Sequence, residues 1–493
     1  MRKNKKAIVI GAGFSGLSAA TVLADAGWDV EILEKNTSAG GRARVLKKDG
    51  FVFDMGPSWY WMPDVMEEYF NRFNSTTAEH FELKRLDPSY QVIFDNNQTE
   101  AIPNNMEAIN ELFERKEKGS SQKLKEFLDE AEVNYKVGMH QFVYKPSVSL
   151  FEFLKTDIFK ASYKLNLLRP FNKHVRKFFK SDQLVQLMEF PVLFLGAMPK
   201  KIPALYSLMN YADFKLGTWY PNGGMGMLVK AFITTAEKAG VKIHLNTPVT
   251  SFKFENQKIV GVNTPNGFLE ADVVISSADY HFTDHKLLPK EYSNYSEKYW
   301  EERLMAPSCL IYYLGINKKL PKLQHHNLFF EQNFDSHAKA IYETPEFPEK
   351  PLYYVCNPSK TDNSVAPEGM ENIFILIPIA PGLQETPEIR QKYFNDTIAR
   401  LEKYCGESIK EHIVSYTDYA GADFISDYNA FKGNAYGLAN TLKQTAVLKP
   451  SIINKKISNL FYTGQLTVPG PGVPPAIISG QVVADYVLNK FKK

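Results

Sequence analysis

Residues 7–44 read AIVIGAGFSGLSAATVLADAGWDVEILEKNTSAGGRAR. The apolar run at residues 7–10 leads straight into GAGFSG at residues 11–16, and apolar residues then recur at helical spacing. A second apolar run, at residues 30–33, ends at Glu34. This order predicts a strand, a glycine turn, a helix and a second strand, as in the first unit of a doubly wound parallel sheet.

The three glycines of the turn have different predicted roles. Gly11 permits the tight turn, Gly13 lets the backbone approach a pyrophosphate, and Gly16 lets the helix pack closely on the strand. The free N–H groups at the start of the helix, with the positive end of its dipole, then face the phosphates. Glu34 is placed to accept hydrogen bonds from an adenosine ribose and to repel a 2′-phosphate, which predicts a dinucleotide other than NADP. The alternative is an ordinary glycine turn in a βαβ unit.

The residues after the second strand indicate which dinucleotide binds. Residues 38–42 read SAGGR, and Gly41 with Arg42 is similar to the second phosphate-contacting loop of FAD enzymes. NAD-dependent Rossmann enzymes do not typically carry this loop. The sequence therefore predicts FAD.

Length and composition restrict the classes of protein that this chain can form. At 493 residues it exceeds one ordinary core, which predicts two or three domains. A hydrophobic content of 44% with 23% charged residues is typical of a folded, water-soluble protein. The net charge of +3 is too small to indicate nucleic acid as a partner. Cys309, Cys356 and Cys405 are widely spaced, so we expect a reducing compartment, no disulfide framework and no metal site.

Two patterns bear on signal and membrane segments. Residues 2–6 are mostly basic and precede an apolar stretch, but that stretch contains the glycine turn and Asp25 and lacks a small-x-small cleavage site. We therefore interpret it as mature sequence. No run of 18 apolar residues occurs, which argues against a transmembrane helix and favours a cytoplasmic protein.

From about residue 63 to residue 211, amphipathic helical patterns replace the glycine-rich punctuation, which predicts an inserted domain. The segment from Lys155 to Lys180 carries eight cations against Asp157, with aromatic and aliphatic residues between them. Such a segment suits an anionic membrane surface, where each nearby cation contributes about 1 kcal/mol, and predicts peripheral association with the inner face of the cell membrane. The alternative is a solvated helix face above a buried apolar face.

Alternating strand and helix patterns return near Gly217 and again towards the C-terminus. The predicted FAD-binding domain comprises residues 1–80, 213–300 and 426–493, and the predicted substrate domain comprises residues 81–212 and 301–425. The predicted fold class is α/β, with a Rossmann-like FAD-binding domain and an inserted α+β substrate domain that carries a helical, membrane-facing part.

Several motifs occur in an order that characterises one family. They are GAGFSGLSAA, Glu34, SAGGRAR, FDMGPS, GTWYPNGGMGML and TGQLTVPGPGVPPAIISGQ, and they span nearly the whole chain. The first block is shared with many flavoproteins, whereas WYPNGG and the terminal proline-glycine block are more specific. In these motifs the chain resembles the bacterial phytoene (carotenoid) desaturase family of the flavin amine oxidase-like superfamily.

The resemblance implies noncovalent FAD, a hydrophobic tunnel from the membrane to the flavin, and a long acyclic C40 carotenoid substrate, such as phytoene on its way to lycopene. It implies hydride transfer to flavin N5 and loss of a proton to a weak base or water; oxygen and a quinone both remain open as the electron acceptor. The residues expected to bind the cofactor are Gly11, Gly13, Phe14, Ser15, Gly16, Glu34, Lys35, Gly41, Arg42, Pro57, Ser58, Val249, Gly464, Gln465, Gly472, Val473 and Pro474.

Three positions depart from the pattern of the family or are ambiguous within it. Gln465 stands where many relatives have an acid, and Asn222 stands where relatives often carry a basic residue. Glu152 lies near the place of an acidic residue in the family and is a candidate acid. No catalytic side chain is assigned.

The enzymatic alternatives act on other lipids. They are a late-pathway hydroxycarotenoid 3,4-desaturase, a carotenoid isomerase that uses reduced flavin, and a retinol saturase-like reductase. The non-enzymatic alternative is a lipid carrier of the GDP-dissociation inhibitor type, which binds prenyl chains without flavin. Glu34, the complete glycine turn and the terminal block argue against the carrier.

Overall fold

The computed structural model describes residues 4–95, 98–153, 169–193, 195–332, 334–441 and 443–492. The strands in these ranges are β1 (Lys6–Ile10), β2 (Asp29–Leu33), β3 (Val45–Lys48), β4 (Phe51–Asp54), β5 (Leu83–Arg85), β6 (Tyr90–Phe94), β7 (Thr99–Ile102), β8 (Trp219–Pro221), β9 (Lys242–His244), β10 (Ser251–Glu255), β11 (Lys258–Thr264), β12 (Gly267–Glu270), β13 (Val273–Ser276), β14 (Ser308–Ile316), β15 (His326–Phe330), β16 (Tyr353–Cys356), β17 (Glu371–Ile379), β18 (Ile413–Tyr419) and β19 (Leu460–Tyr462).

The longer helices lie between and around these strands. They are α1 (Phe14–Asp25), α2 (Pro63–Asn71), α3 (Met106–Lys116), α4 (Ser120–Val137), α5 (Phe171–Phe178), α6 (Asp182–Leu193), α7 (Gly226–Lys238), α8 (Phe334–Tyr342), α9 (Pro387–Cys405), α10 (Gly421–Tyr428) and α11 (Val473–Lys490).

A five-stranded parallel sheet forms the nucleotide-binding layer, with the strand order β19-β13-β1-β2-β9. Strand β1 lies at its centre, and four of its five residues are buried, as expected for a parallel strand covered on both faces. Helix α1 packs against α7 and α11. The predicted α/β class, with its strand, glycine turn, helix and second strand, is confirmed.

A seven-stranded sheet forms the second layer, in the order β18-β14-β17-β16-β15-β6-β7. All its pairs are antiparallel except β15 with β6. Alternate side chains of β14 enter two different cores: Leu310 and Tyr312 face helix α9, whereas Cys309 and Ile311 face the core shared with the nucleotide-binding layer. One face of this sheet therefore closes over the first layer.

The two sheets draw their strands from different parts of the chain. The parallel sheet uses strands between residues 6 and 33, between 242 and 276, and between 460 and 462, whereas the seven-stranded sheet uses residues 90–102 and 308–419. This distribution agrees with an inserted second domain, and the exact domain boundaries stay a prediction.

Helix α5 holds the described end of the basic segment. Lys173, Arg176 and Lys177 are exposed on it, while Phe171 and Val175 are buried. Residues 154–168 lie outside the described residues, so the membrane-facing part stays a prediction. Across the described ranges, no helix combines the length and the apolar character that are needed to span a bilayer.

Candidate functional site

A cavity of about 300 Å³ opens at the carboxyl ends of the parallel strands. Strands β1, β2, β13 and β19 all end at it, which is where ligands bind in doubly wound sheets. The opposite wall comes from the seven-stranded sheet, through Cys309, Ile311 and Leu376. The cavity thus lies between a polar, glycine-rich rim and an apolar sheet face.

Most of the residues predicted to bind the cofactor line this one cavity. They are Gly11, Gly13, Phe14, Ser15, Glu34, Lys35, Gly41, Arg42, Pro57, Val249, Gly464, Gln465, Gly472 and Val473. Gly16, Ser58 and Pro474 do not line it. The fold therefore brings together segments that are separated by up to about 460 residues of chain.

The glycine turn shows why each of its glycines is needed. Gly11 has a φ of 97°, a conformation that favours glycine. A Cβ on Gly16 would lie 2.0 Å from the carbonyl oxygen of Gly11, so Gly16 permits the close approach of helix α1 to the turn and does not itself touch a ligand. A Cβ on Gly13 would meet no described atom within 4 Å, and Gly13 lines the cavity, so that space is free for a phosphate.

Glu34 is buried at the end of β2, and both of its carboxylate oxygens accept backbone hydrogen bonds. Ala12 N–H donates to Oε2 at 2.8 Å, and Asn36 N–H donates to Oε1 at 2.9 Å. Each oxygen keeps a second lone pair that can accept a ribose hydroxyl. Glu34 thus also holds the glycine turn against the second strand.

Arg42 is, with Lys35, a cation that lines the cavity. Its Nη2 donates to the carbonyl oxygen of Asn434 at 3.2 Å, and its guanidinium lies 5.0 Å from the ring of Tyr428. Its Nε is buried and has no partner among the described residues. Burial lowers the pKa of Arg42, and Asp279 opposes this shift, so the guanidinium stays charged. A buried cation with an unused donor is suited to bind a phosphate.

The terminal block reaches the cavity through the end of β19 and the start of α11. Gly464 has a φ of 110°, and its N–H donates to Ser479 Oγ at 3.0 Å. Helix α11 begins at Val473, so Val473 and Pro474 belong to its first turn. Proline is compatible with this first turn because its missing N–H has no partner there in any helix.

Gln465, where the resemblance predicts an acid, is engaged within the protein. Its amide oxygen accepts from Arg42 Nη2 at 3.0 Å and from the N–H of Gly437 at 3.3 Å, and the backbone carbonyl of Asn434 also accepts from Arg42. Lys35 lines the cavity too, but its Nζ donates to the carbonyl oxygen of Ser426 at 2.5 Å. Both side chains therefore connect the nucleotide-binding layer to helix α10 and the loop that follows it.

The FDMGPS motif connects the hairpin β3–β4 to helix α7. Asp54 accepts hydrogen bonds from the backbone N–H groups of Met225 at 2.8 Å and Gly226 at 3.0 Å. Burial raises its pKa to about 6. Pro57 reaches the cavity, whereas Ser58 turns away and hydrogen-bonds to the hydroxyl of Tyr354 at 3.0 Å. This part of the motif organises backbone more than it offers side chains to a ligand.

Glu152 does not line the cavity. Its two carboxylate oxygens accept backbone hydrogen bonds from Ser147, Val148 and Ser149, at 2.8 to 2.9 Å. The carboxylate therefore stabilises a turn, and the structure offers no support for a catalytic role.

Several residues of the cavity wall were not predicted from the sequence. Asp279 lies just beyond β13, and its carboxylate accepts from Phe282 N–H and Phe431 N–H, both at 3.2 Å. The rule that ligands bind at the carboxyl ends of parallel strands could have indicated it. No local signal marks Cys309, Leu376 or Tyr436, because they reach the cavity only through the packing of the second sheet.

The sequence profile of the family described as flavin containing amine oxidoreductase matches residues 14–488. The chain belongs to that family. It is therefore an oxidoreductase with a flavin cofactor, and the lipid-carrier alternative loses its support. The open space at Gly13 and the unpartnered Nε of Arg42 fit the phosphates of such a cofactor.

Two relatives are similar over nearly their full lengths. The chain is 38% identical over 482 residues to the carotenoid 3,4-desaturase of Haloarcula japonica, covering 98% of this chain and 97% of the relative. It is 30% identical over 495 residues to the zeta-carotene-forming phytoene desaturase of Myxococcus xanthus, covering 99% and 94%. The predicted membership of the carotenoid desaturase family is confirmed.

A solved structure of an oxidoreductase from Methanosarcina mazei has the same fold. The TM-score is 0.63 at 17% identity, and the match covers 97% of this chain and 100% of the other. The fold of that oxidoreductase is thus reproduced over almost the entire chain.

Proposed function

We propose that the protein is an FAD-dependent carotenoid desaturase that binds FAD noncovalently. The observation that carries this proposal is the cavity itself, because a glycine-rich rim suited to a dinucleotide faces an apolar sheet wall suited to a hydrocarbon. The two desaturases at 38% and 30% identity support the same chemistry.

The residues that line the cavity divide into groups that would hold different parts of FAD. The backbone N–H groups at residues 13–15 and at Val473 would face the pyrophosphate, together with Arg42. Glu34 would accept from the adenosine ribose, and the backbone at Val249 would border the adenine. When bound, FAD supplies an acceptor for the hydride that leaves the substrate.

The apolar wall would bind the hydrocarbon by burial alone. A carotenoid offers no charged group, so its affinity comes from apolar area removed from water, at about 25 cal/mol per Å². Cys309, Ile311 and Leu376 contribute such area next to the glycine-rich rim. They also exclude water from the reacting carbons.

Two substrates fit this proposal. The first is phytoene, desaturated towards lycopene by hydride and proton loss from neighbouring carbons. The second is a late-pathway carotenoid that loses hydrogen across its 3,4 bond, and the higher identity to the Haloarcula japonica 3,4-desaturase favours it. The electron acceptor would be oxygen or a quinone, and the basic segment would hold the protein at the inner face of the cell membrane.

The proposal is tested by loading the purified protein with FAD and supplying each carotenoid in anionic liposomes. Anaerobic bleaching of the flavin absorbance with formation of a more conjugated pigment is expected for one substrate. Conversion of phytoene assigns the early step, and conversion of only the 3,4-saturated carotenoid assigns the late step. Flavin that stays in the supernatant after acid precipitation identifies noncovalent binding, whereas a protein that bleaches with neither carotenoid contradicts the proposal.

A further inference from the structure

A buried polar cluster lies directly behind the cavity wall. It consists of Ser58, Tyr354 and His326, and it is defined by two consecutive hydrogen bonds: Ser58 Oγ to Tyr354 OH at 3.0 Å, and Tyr354 OH to His326 Nδ1 at 2.5 Å. Ser58 follows the wall residue Pro57, and Tyr354 pairs in register with the wall residue Leu376. None of the three lines the cavity itself, and the cluster adjoins its apolar end through these two neighbours.

Aromatic rings pack on one side of this cluster, whereas His325 and Cys356 lie beside His326 on another. Trp59 packs against Tyr90 and Phe190, with ring centroids 5.5 Å and 5.8 Å apart. A carotenoid hydrocarbon chain gains nothing from polar atoms at its side, and polar groups buried beside it without hydrogen-bond partners cost free energy. Their presence at this end of the cavity calls for a role other than binding.

We propose that His326, reached through the hydroxyl of Tyr354, accepts the proton that the carotenoid loses. This inference rests on the proposed desaturase function. The hydride leaves one carbon with its electron pair and goes to the flavin, and the electron pair of the neighbouring C–H bond becomes the new π bond. The proton of that bond passes to the oxygen of Tyr354, whose own proton passes to Nδ1 of His326.

The ring of His326 is prepared for this task in two ways. Burial lowers the pKa of His326 well below its ordinary value, with a further contribution from His325, so the ring is neutral and Nδ1 can accept. A weak base suffices because a C–H bond beside a developing allylic cation is strongly acidic. The ring also stacks on Trp59, with centroids 4.0 Å apart and planes 10° apart, so that the aromatic face stabilises the imidazolium when it forms.

The remaining contacts of His326 leave this path open. Cys356 Sγ lies 3.7 Å from Nδ1, and burial raises the pKa of this thiol to about 12, so it stays neutral. The neutral ring whose Nδ1 accepts carries its hydrogen on Nε2, and Nε2 has no partner among the described residues.

The test compares His326→Asn and Tyr354→Phe with the wild-type FAD-loaded enzyme. Asn keeps an amide near the position of Nδ1 but cannot hold a proton, and Phe keeps the ring of residue 354 without its hydroxyl. We expect kcat to fall by roughly 10²-fold to 10³-fold in both variants, as for loss of a general base, with KM unchanged. FAD titration and thermal unfolding of each variant report whether it is folded.

Isotope effects separate proton acceptance from a structural role. Two substrates are used, one deuterated at the carbon that loses the hydride and one at the carbon that loses the proton. In the variants, the isotope effect at the proton-losing carbon should grow, because proton removal becomes the slow step. His337→Asn is the matched control: His337 is also a buried neutral histidine, but it is bonded to Pro378 and Leu352, so its loss should not change this isotope effect.

The outcomes distinguish failure of the inference from failure of the function. An unchanged kcat in His326→Asn or Tyr354→Phe, or a raised KM with kcat intact, overturns the proton path while the desaturase function stands. The second pattern would identify the cluster as a binding site for an oxygen atom on the substrate. If the wild-type enzyme desaturates no carotenoid, the proposed function and this inference both fail.

Discussion

Gly13 and Gly16 lie three residues apart in the same turn, and each position requires glycine for a different reason. The space beside Gly13 is open and belongs to the cavity, whereas the space beside Gly16 is filled by the carbonyl of Gly11. A methyl group at the first position would occupy ligand space, and at the second it would push helix α1 away from the turn. The sequence motif alone does not separate these two requirements.

Gly13→Ala should therefore lose cofactor affinity and keep its stability. We expect the Kd for FAD to rise at least tenfold, equivalent to about 1.4 kcal/mol, because the added Cβ lies where a phosphate approaches. The melting temperature of the FAD-free protein should stay unchanged, since no described atom lies within 4 Å of that Cβ. Fluorescence titration with FAD and thermal unfolding measure the two quantities.

Gly16→Ala gives the contrast. Its melting temperature should fall together with its FAD affinity, because its Cβ would lie 2.0 Å from the Gly11 carbonyl. Equal stability losses in both variants would contradict the distinction between the two glycines.

At the scale of secondary-structure elements, hydrogen bonds between hairpin β3–β4 and helix α7 join two sequence motifs, FDMGPS and GTWYPNGGMGML. Asp54 ends the hairpin and accepts the free N–H groups of Met225 and Gly226 at the start of α7. These N–H groups have no partner within the helix, and an anionic side chain there also interacts favourably with the helix dipole. Neither FDMGPS nor GTWYPNGGMGML indicates by itself that they meet.

The buried carboxyl of Asp54 should make stability depend on pH. Burial raises its pKa from 3.8 to about 6, so between these values the folded protein holds a proton that the unfolded chain releases. The contribution of Asp54 to the free energy of unfolding is thus largest at low pH and is lost as the pH rises through about 6. Asp54→Asn should remove this dependence, as measured by urea unfolding at several pH values.

Asp49→Asn is the control for this experiment. Asp49 is exposed at the turn of the same hairpin, with a φ of 51°, a conformation that asparagine also tolerates. The stability of Asp49→Asn relative to wild type is measured by urea unfolding over the same pH range. If the stability difference from wild type varies with pH to the same extent in Asp54→Asn and Asp49→Asn, burial of Asp54 is not the cause of the pH dependence.

For the molecule as a whole, the question is whether the exposed cations of helix α5 bind an anionic membrane surface. Helix α5 presents Lys173, Arg176 and Lys177 to solvent above a buried face, and Lys180 follows them, also exposed. This arrangement is expected both for a solvated amphipathic helix and for a membrane-binding face. Only a binding measurement separates the two.

Replacing Lys173, Arg176, Lys177 and Lys180 with glutamine should weaken binding to anionic liposomes. Each cation near the surface contributes about 1 kcal/mol, so we expect a loss of at least tenfold at low salt that shrinks at high salt. The control replaces Lys253, Lys258, Lys290 and Lys298, which are exposed on the nucleotide-binding side. Equal liposome binding by both variants and the wild type would favour the solvated helix face.

The sequence by itself determined the nucleotide-binding unit and its cofactor class. The turn at residues 11–16, the acid at Glu34 and the GGR loop can be interpreted locally, because backbone conformation and the spacing of one βαβ unit depend on neighbouring residues. The confirmed parallel sheet and the cavity rim follow from these few positions.

Only the tertiary structure decided which residues face the glycine-rich rim of the cavity. Cys309, Ile311 and Leu376 reach the cavity because the second sheet closes over the first, and strand register determines which alternate side chains point inward. In the same way, Tyr354 meets His326 and Ser58 across 28 and 296 residues of chain. Contacts at such separations leave no local pattern, because they depend on packing between elements and not on the conformation of any one of them.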